Sequence, residues 1–138
     1  MRHFVTLDKM NYDAESGILR LESSQEPGMA PQITMRREGA YMAIAASYGP
    51  LEIALRPQHE ELARLLGRLQ PVKGLQTTRQ VGTAQAYLAI GLRVDGTLVI
   101  RPTIVADATG HFSFNLALTP AVREQFFAWL PVEREAEA

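Results

Sequence analysis

The sequence predicts an α+β fold: two antiparallel β-meanders, each followed by a helix, with the helices covering one face of the sheets. Three observations carry this. Leu51-Glu-Ile-Ala-Leu-Arg-Pro57 runs into a leucine-rich amphipathic stretch, and Phe114-Asn-Leu-Ala-Leu-Thr-Pro120 runs into a second apolar stretch ending at Leu130. Aligning Pro57 with Pro120 superposes Ile53-Ala54-Leu55 on Leu116-Ala117-Leu118 and Glu61 on Glu124, which implies a duplicated ββββα-like unit. Before each proline, apolar residues recur with period two, the pattern of a sheet with one face in the core. The expected organisation is one domain over residues 1–131, with pseudo-repeat halves at about 1–70 and 75–131, and an acidic tail over 132–138.

In chain order, Arg2 to Leu7 alternates as a strand, and Asn11 to Gly17 carries turn chemistry through Asp13 and Gly17. Ile18 to Glu22 returns as a strand, and Ser23 to Pro31 is a polar loop. Gln32 to Glu38, Ala40 to Ser47 and Leu51 to Arg56 then form a meander with corners at Gly39 and Tyr48-Gly49-Pro50. Pro57 is expected at the first helical position, followed by Glu60 and Glu61 in the first turn and the stripe Leu62, Leu65, Leu66, Leu69. Val72 to Gly82 reads as a polar connector.

In Thr83 to Val94, Leu88, Ile90 and Leu92 share one face, and Gln85, Tyr87 and Arg93 share the other. Asp95-Gly96 is the strongest hairpin signal in the chain. Leu98 to Val105 follows; Pro102 predicts an edge or a bulge there, because proline cannot donate to a ladder. After the Asp107-Ala-Thr-Gly110 turn, Phe112 to Leu118 alternates. Thr119 is placed as an N-cap and Pro120 as the first residue of the second helix, whose stripe is Val122, Phe126, Trp129 and Leu130.

Composition narrows the function classes. The chain has no cysteine, which removes disulfides, thiol catalysis and zinc–thiolate sites. The net charge of −1 argues against a generic polyanion binder. All basic residues except Lys9 and Lys73 are arginine, the better side chain for stacking and bidentate phosphate contacts. No apolar run is long enough to span a bilayer, and the charged, alternating N-terminus does not read as a signal peptide, so a cytoplasmic address is expected. His59-Glu60 begins like a zinc-protease signature, but Ala63 stands where the second histidine belongs. His3, His59 and His111 are scattered, and no phosphate-binding or nucleophile motif occurs. The expectation is a non-enzymatic protein without a metal or cofactor.

Two segments carry a resemblance. Arg36-Arg-Glu-Gly-Ala-Tyr-Met-Ala-Ile44 leads through Leu51 to Pro57 into the leucine helix, and Phe112-Ser-Phe-Asn-Leu-Ala-Leu-Thr-Pro120 leads into Val122 to Leu130. Over residues 32–131 the chain resembles the Whirly group of single-stranded nucleic-acid-binding proteins and their structural relatives, Pur-alpha and the transcriptional positive cofactor four. The Lys-Gly-Lys-Ala-Ala-Leu signature of plant Whirly proteins is absent. The resemblance implies a homo-oligomer that binds single-stranded DNA or RNA through its open sheet face.

Single strands ask for cations along a backbone track and flat side chains for stacking. The face opposite the helices would offer Gln85, Tyr87, Arg93, Arg101, Thr103, His111, Ser113 and Asn115, extended by Arg20, Arg36 and Tyr41. In this reading Tyr41 and Tyr87 stack bases, Arg36, Arg93 and Arg101 hold phosphates, and Gln85, His111 and Asn115 supply polar contacts. The rival reading is a structural or adaptor domain of the same fold. In it this face is a wet sheet surface, or its Ala89, Val99, Val105 and Ala117 form a subunit contact.

Overall fold

The computed structural model describes residues 4–25, 28–107 and 109–132. The expected acidic tail, apart from Val132, and the start of the first strand lie outside them. The fold is α+β, with two sheets and two helices. The five-stranded sheet is an antiparallel meander of β2 (Lys9–Asp13), β3 (Ile18–Glu22), β4 (Gln32–Glu38), β5 (Tyr41–Tyr48) and β6 (Leu51–Leu55), leading to α1 (His59–Gly67). The seven-stranded sheet is built around β9 (Ala86–Arg93) and β10 (Leu98–Asp107). Its return strand is split into β11 (Gly110–Ser113) and β12 (Asn115–Leu118), before α2 (Pro120–Trp129). β7 (Pro71–Val72) and β8 (Arg79–Gly82) share the far edge of β9.

The N-terminal strand β1 (Phe4–Leu7) does not join its own half. It pairs in parallel with β12, placing Val5 beside Leu116 and Leu7 beside Leu118. The chain crosses between sheets at Asp8, whose N–H donates to Glu22 O at 2.9 Å and whose carboxylate accepts from Ser24 N (2.8 Å) and Oγ (2.5 Å). The helices cross over as well: α1 touches β8 and β5, and α2 touches β2 and β12. One core joins both halves, including Leu19, Ile33, Met35 and Ile44 from one sheet and Leu88, Ile90, Ile100 and Leu116 from the other, with Leu62, Leu66 and Phe126 from the helices. Burying a side chain of this kind contributes about 1.5–3 kcal/mol. No described helix is long and apolar enough to cross a membrane.

Several local expectations change. The stretch from Asn11 belongs to β2 as far as Asp13, and the turn contracts to Asp13–Gly17, closed by Gly17 N–H donating to Asp13 O at 2.8 Å. Pro57 stands one residue before the N-cap of α1, which is Gln58, because Pro57 O is held by Met42 N–H (2.8 Å) as an extension of the sheet. The connector over 72–82 contributes the short strands β7 and β8. Pro102 lies in the central strand β10 rather than at an edge; its missing donor faces the return strand where that strand breaks at Phe114, between β11 and β12. Thr119 does cap α2, its hydroxyl accepting from Val122 N–H at 3.2 Å, with Pro120 at the helix start.

Candidate nucleic-acid interface

The outer face of the seven-stranded sheet is a lattice fixed by the β9–β10 hairpin. Gly96, at φ 93°, donates to Arg93 O at 3.0 Å, and Arg93 N–H donates to Thr97 O at 2.9 Å. The resulting register sets Tyr87 beside Thr103 and Thr103 beside Ser113. Ala89 lies beside Arg101, Gly91 beside Val99, and Val99 beside Ala117. Paired residues point to the same side of a sheet, so these rows cross one face.

Four of the expected site residues, Tyr87, Arg101, His111 and Asn115, line a single polar cleft of about 500 Å³ together with Thr103 and Ser113. Arg101 is half-buried at its floor and donates through Nε to Asn115 Oδ1 at 2.7 Å, which orients both side chains. Thr103, 3% exposed, returns its hydroxyl to Arg101 O at 3.2 Å. His111 is exposed at the rim. Gln85 sits on the Thr83–Gln85 turn that precedes β9 and does not line the cleft; its carbonyl accepts from the N–H of Val105, a lining residue, at 2.8 Å, and its side chain is exposed.

Asp107 and Thr109 complete the rim, and sequence reasoning passed over both as turn residues. The Thr109 hydroxyl and N–H each donate to Asp107 at 2.7 Å, and these bonds hold the carboxyl below its ordinary range. A negative charge therefore stands at the β10–β11 end of the cleft, opposite the positive charge of Arg101.

The remaining expected residues are elsewhere. Arg93 lies at the other end of β9, beyond Gly91, 3.9 Å from Asp95. Arg36 and Tyr41 are on the outer face of the five-stranded sheet and are already engaged. Glu38 accepts from Arg56 Nε at 3.1 Å and Arg36 Nη2 at 2.9 Å, and these bonds, Arg56's first, depress its pKa. The Arg56 guanidinium stacks 4.7 Å from the Tyr41 ring centroid. Arg20 pairs with Glu22 at 3.6 Å. A shallower cleft runs from Tyr41 past Pro57 to Gly82, Thr83 and Ala86, so Tyr41 looks toward the turn that carries Gln85.

The apolar part of the outer face is not open for a subunit contact. Ala89 and Ala117 are 8% exposed and Val99 is fully buried. The connector between β7 and β8 crosses here: the backbone of Gln76 and Thr77 lies against Gly91, where even a Cβ would overlap the Gln76 carbonyl. Val105 is half-buried.

Beyond these residues, a cleft at the end of the five-stranded sheet gathers Tyr12, Arg37, His59 and Trp129. They come from four separate elements, and their sequence spacing gives no sign of it. No protein-family model, curated protein or solved structure matches the chain.

Proposed function

We propose that this chain is a non-catalytic, Whirly-like binder of single-stranded nucleic acid that uses the outer face of the seven-stranded sheet. The observation that supports this reading is the cleft joining Tyr87, Arg101, His111 and Asn115. It combines an aromatic ring for a base, an oriented guanidinium for a phosphate, and hydroxyl and amide groups that adapt to either. Tyr87 would stack a base, Arg101 would hold the adjacent phosphate, and His111, Asn115 and Gln85 would contact the sugar or base edges. Arg93, Arg36 and Tyr41 would meet a longer strand as it leaves the cleft. With a net charge of −1 and Asp107 on the rim, affinity is modest and falls with salt.

Fluorescence anisotropy of a labelled single-stranded oligonucleotide, against its duplex, tests this. Binding at low salt that weakens at physiological salt and prefers the single strand is the expected result. No binding at low salt overturns the reading.

One observation favours the rival, a self-associating or adaptor protein of duplicated ββββα units. The outer face of the five-stranded sheet holds a trough of about 560 Å³ floored by Thr34, Ala43, Ala45 and Ala54. These small, mostly apolar residues, flanked by Ile18 and Leu55 and bordered by the Arg36–Glu38–Arg56 charges, suit close packing against a second copy. Light scattering tests self-association in both readings: a strict monomer removes it from the rival and counts against a Whirly-like assembly, and the anisotropy measurement separates the two.

A further inference from the structure

The cleft at the end of the five-stranded sheet brings aromatic rings and basic side chains together. Tyr12, on β2, and Trp129, at the end of α2, form one wall, their ring centroids 6.0 Å apart and tilted by 55°. Phe126 stacks behind Trp129 at 6.5 Å and fixes its plane. Met42 contributes to the apolar lining. Facing the rings are Arg37, on β4, and His59, the first residue of α1.

No described carboxylate lines this cleft. Arg36 also reaches it, but its charge is matched by Glu38 at 2.9 Å. Arg37 is different. Its Nε donates to Gly39 O at 3.1 Å, which aims the guanidinium, and it forms no ion pair among the described residues. Its terminal nitrogens keep the forked donor pair that matches a carboxylate or phosphate. Its volume of about 360 Å³ is near the lower end of small-molecule sites, roughly 300–1,000 Å³. That is room for one ring system with an acidic substituent.

We propose that this cleft is a binding site for a small planar aromatic anion, its ring against Tyr12 and Trp129 and its carboxylate or phosphate on Arg37 with His59 beside it. The site stands on a different face from the nucleic-acid cleft and does not depend on that reading. An aromatic ring contact supplies affinity that a bare anion lacks, and the guanidinium supplies selectivity that a neutral ring lacks.

Trp129 is the chain's only tryptophan, so its fluorescence reports directly on the wall of the site. The whole protein would be titrated with benzoate and with adenosine 5′-monophosphate, and in parallel with benzyl alcohol and adenosine. Calorimetry would supply affinities free of optical interference. A saturable change with at least one of the two anions is expected, with its uncharged counterpart about tenfold weaker or more. Benzoate binding without nucleotide binding would identify a carboxylate site, and the reverse a phosphate site. Arg37→Gln should weaken the anion about tenfold, Arg37→Lys should lose less, and Arg64→Gln, on the exposed side of α1, should change nothing. Absence of a saturable response to both anions overturns the proposal. So does equal binding of the uncharged counterparts, a result that needs no variant to fold.

Discussion

The Gln76 carbonyl lies directly over the Cα of Gly91, closing the apolar half of the outer face with the chain's own backbone. A side chain at position 91 must push the connector away, because the obstacle is main chain with no rotamer to yield. Gly91→Ala is therefore expected to destabilise the fold by about 1–3 kcal/mol, the range for inserting a methyl group into a packed region. Urea denaturation measures this. Unchanged stability would mean that the connector lifts freely and that Val99 can be uncovered at little cost.

Tyr87 and Arg101 make separable contributions to the proposed cleft. Tyr87→Ala should weaken single-strand binding by about 1–3 kcal/mol, the usual worth of one stacked base, and leave its salt dependence nearly unchanged. Arg101→Gln should weaken it and reduce the slope of log affinity against log salt by about one. Anisotropy titrations at several salt concentrations distinguish the two. Identical salt slopes in both variants and the parent would place the phosphate track elsewhere. Because Arg101 also orients Asn115 at 2.7 Å, Asn115→Ala should resemble a weak form of Arg101→Gln.

The legible part of the cleft was the part set by local rules. Period two put Gln85, Tyr87 and Arg93 on one side of β9, and Asp95-Gly96 fixed the hairpin that aligns Tyr87 with Thr103. Thr119-Pro120 likewise announced α2. What stayed hidden depends on contacts between residues far apart in sequence. Nothing in Phe4 to Leu7 indicates that it leaves its own half to pair in parallel with β12. Nothing in Gln76 indicates that it covers Gly91, and period two by itself leaves the apolar residues of that face open to a partner. Pro102 predicts an edge or a bulge, and only the edge fails: its missing donor marks a break in the ladder, and the break is taken up by the neighbouring strand at Phe114. Arg36 and Tyr41 have the right chemistry for a strand-binding surface, but the second sheet carries them away from Arg101 and occupies them with Glu38 and Arg56.

Asp8 links the two sheets, and its titration should reveal the link. The Ser24 hydroxyl and N–H both donate to its carboxylate, lowering its pKa below the ordinary value of 3.8. A carboxylate depressed in the folded state contributes stability that is present above the unfolded value and lost as pH falls through the folded one. The contribution is thus complete at neutral pH and disappears in acid, below about 3.8. Ser24→Ala should raise the Asp8 midpoint observed by NMR and remove part of the acid-side slope of stability against pH. An Asp8 midpoint at or above 3.8 in the parent protein would contradict the hydrogen-bonded geometry.

The two helices begin differently, and the difference can be exploited. Thr119 caps α2 through its hydroxyl, so Thr119→Ala should cost about 1 kcal/mol. At the corresponding position of α1, Gln58 has the extended backbone of an N-cap, φ −68° and ψ 138°, but makes no side-chain capping bond. Its side chain is too long to fold back onto the first turn, and it is exposed. Gln58→Asp shortens it to capping length and adds a negative charge at the positive end of the helix dipole. It is expected to stabilise the protein by about 0.5–1 kcal/mol, visible as a higher midpoint in thermal or urea denaturation with an unchanged slope. Gln58→Ser tests the hydroxyl cap without the charge. If Asp stabilises and Ser does not, the gain is electrostatic and should vanish in high salt; if neither does, the first turn of α1 is already satisfied by Ala40 O and the sheet bonds that lead into it.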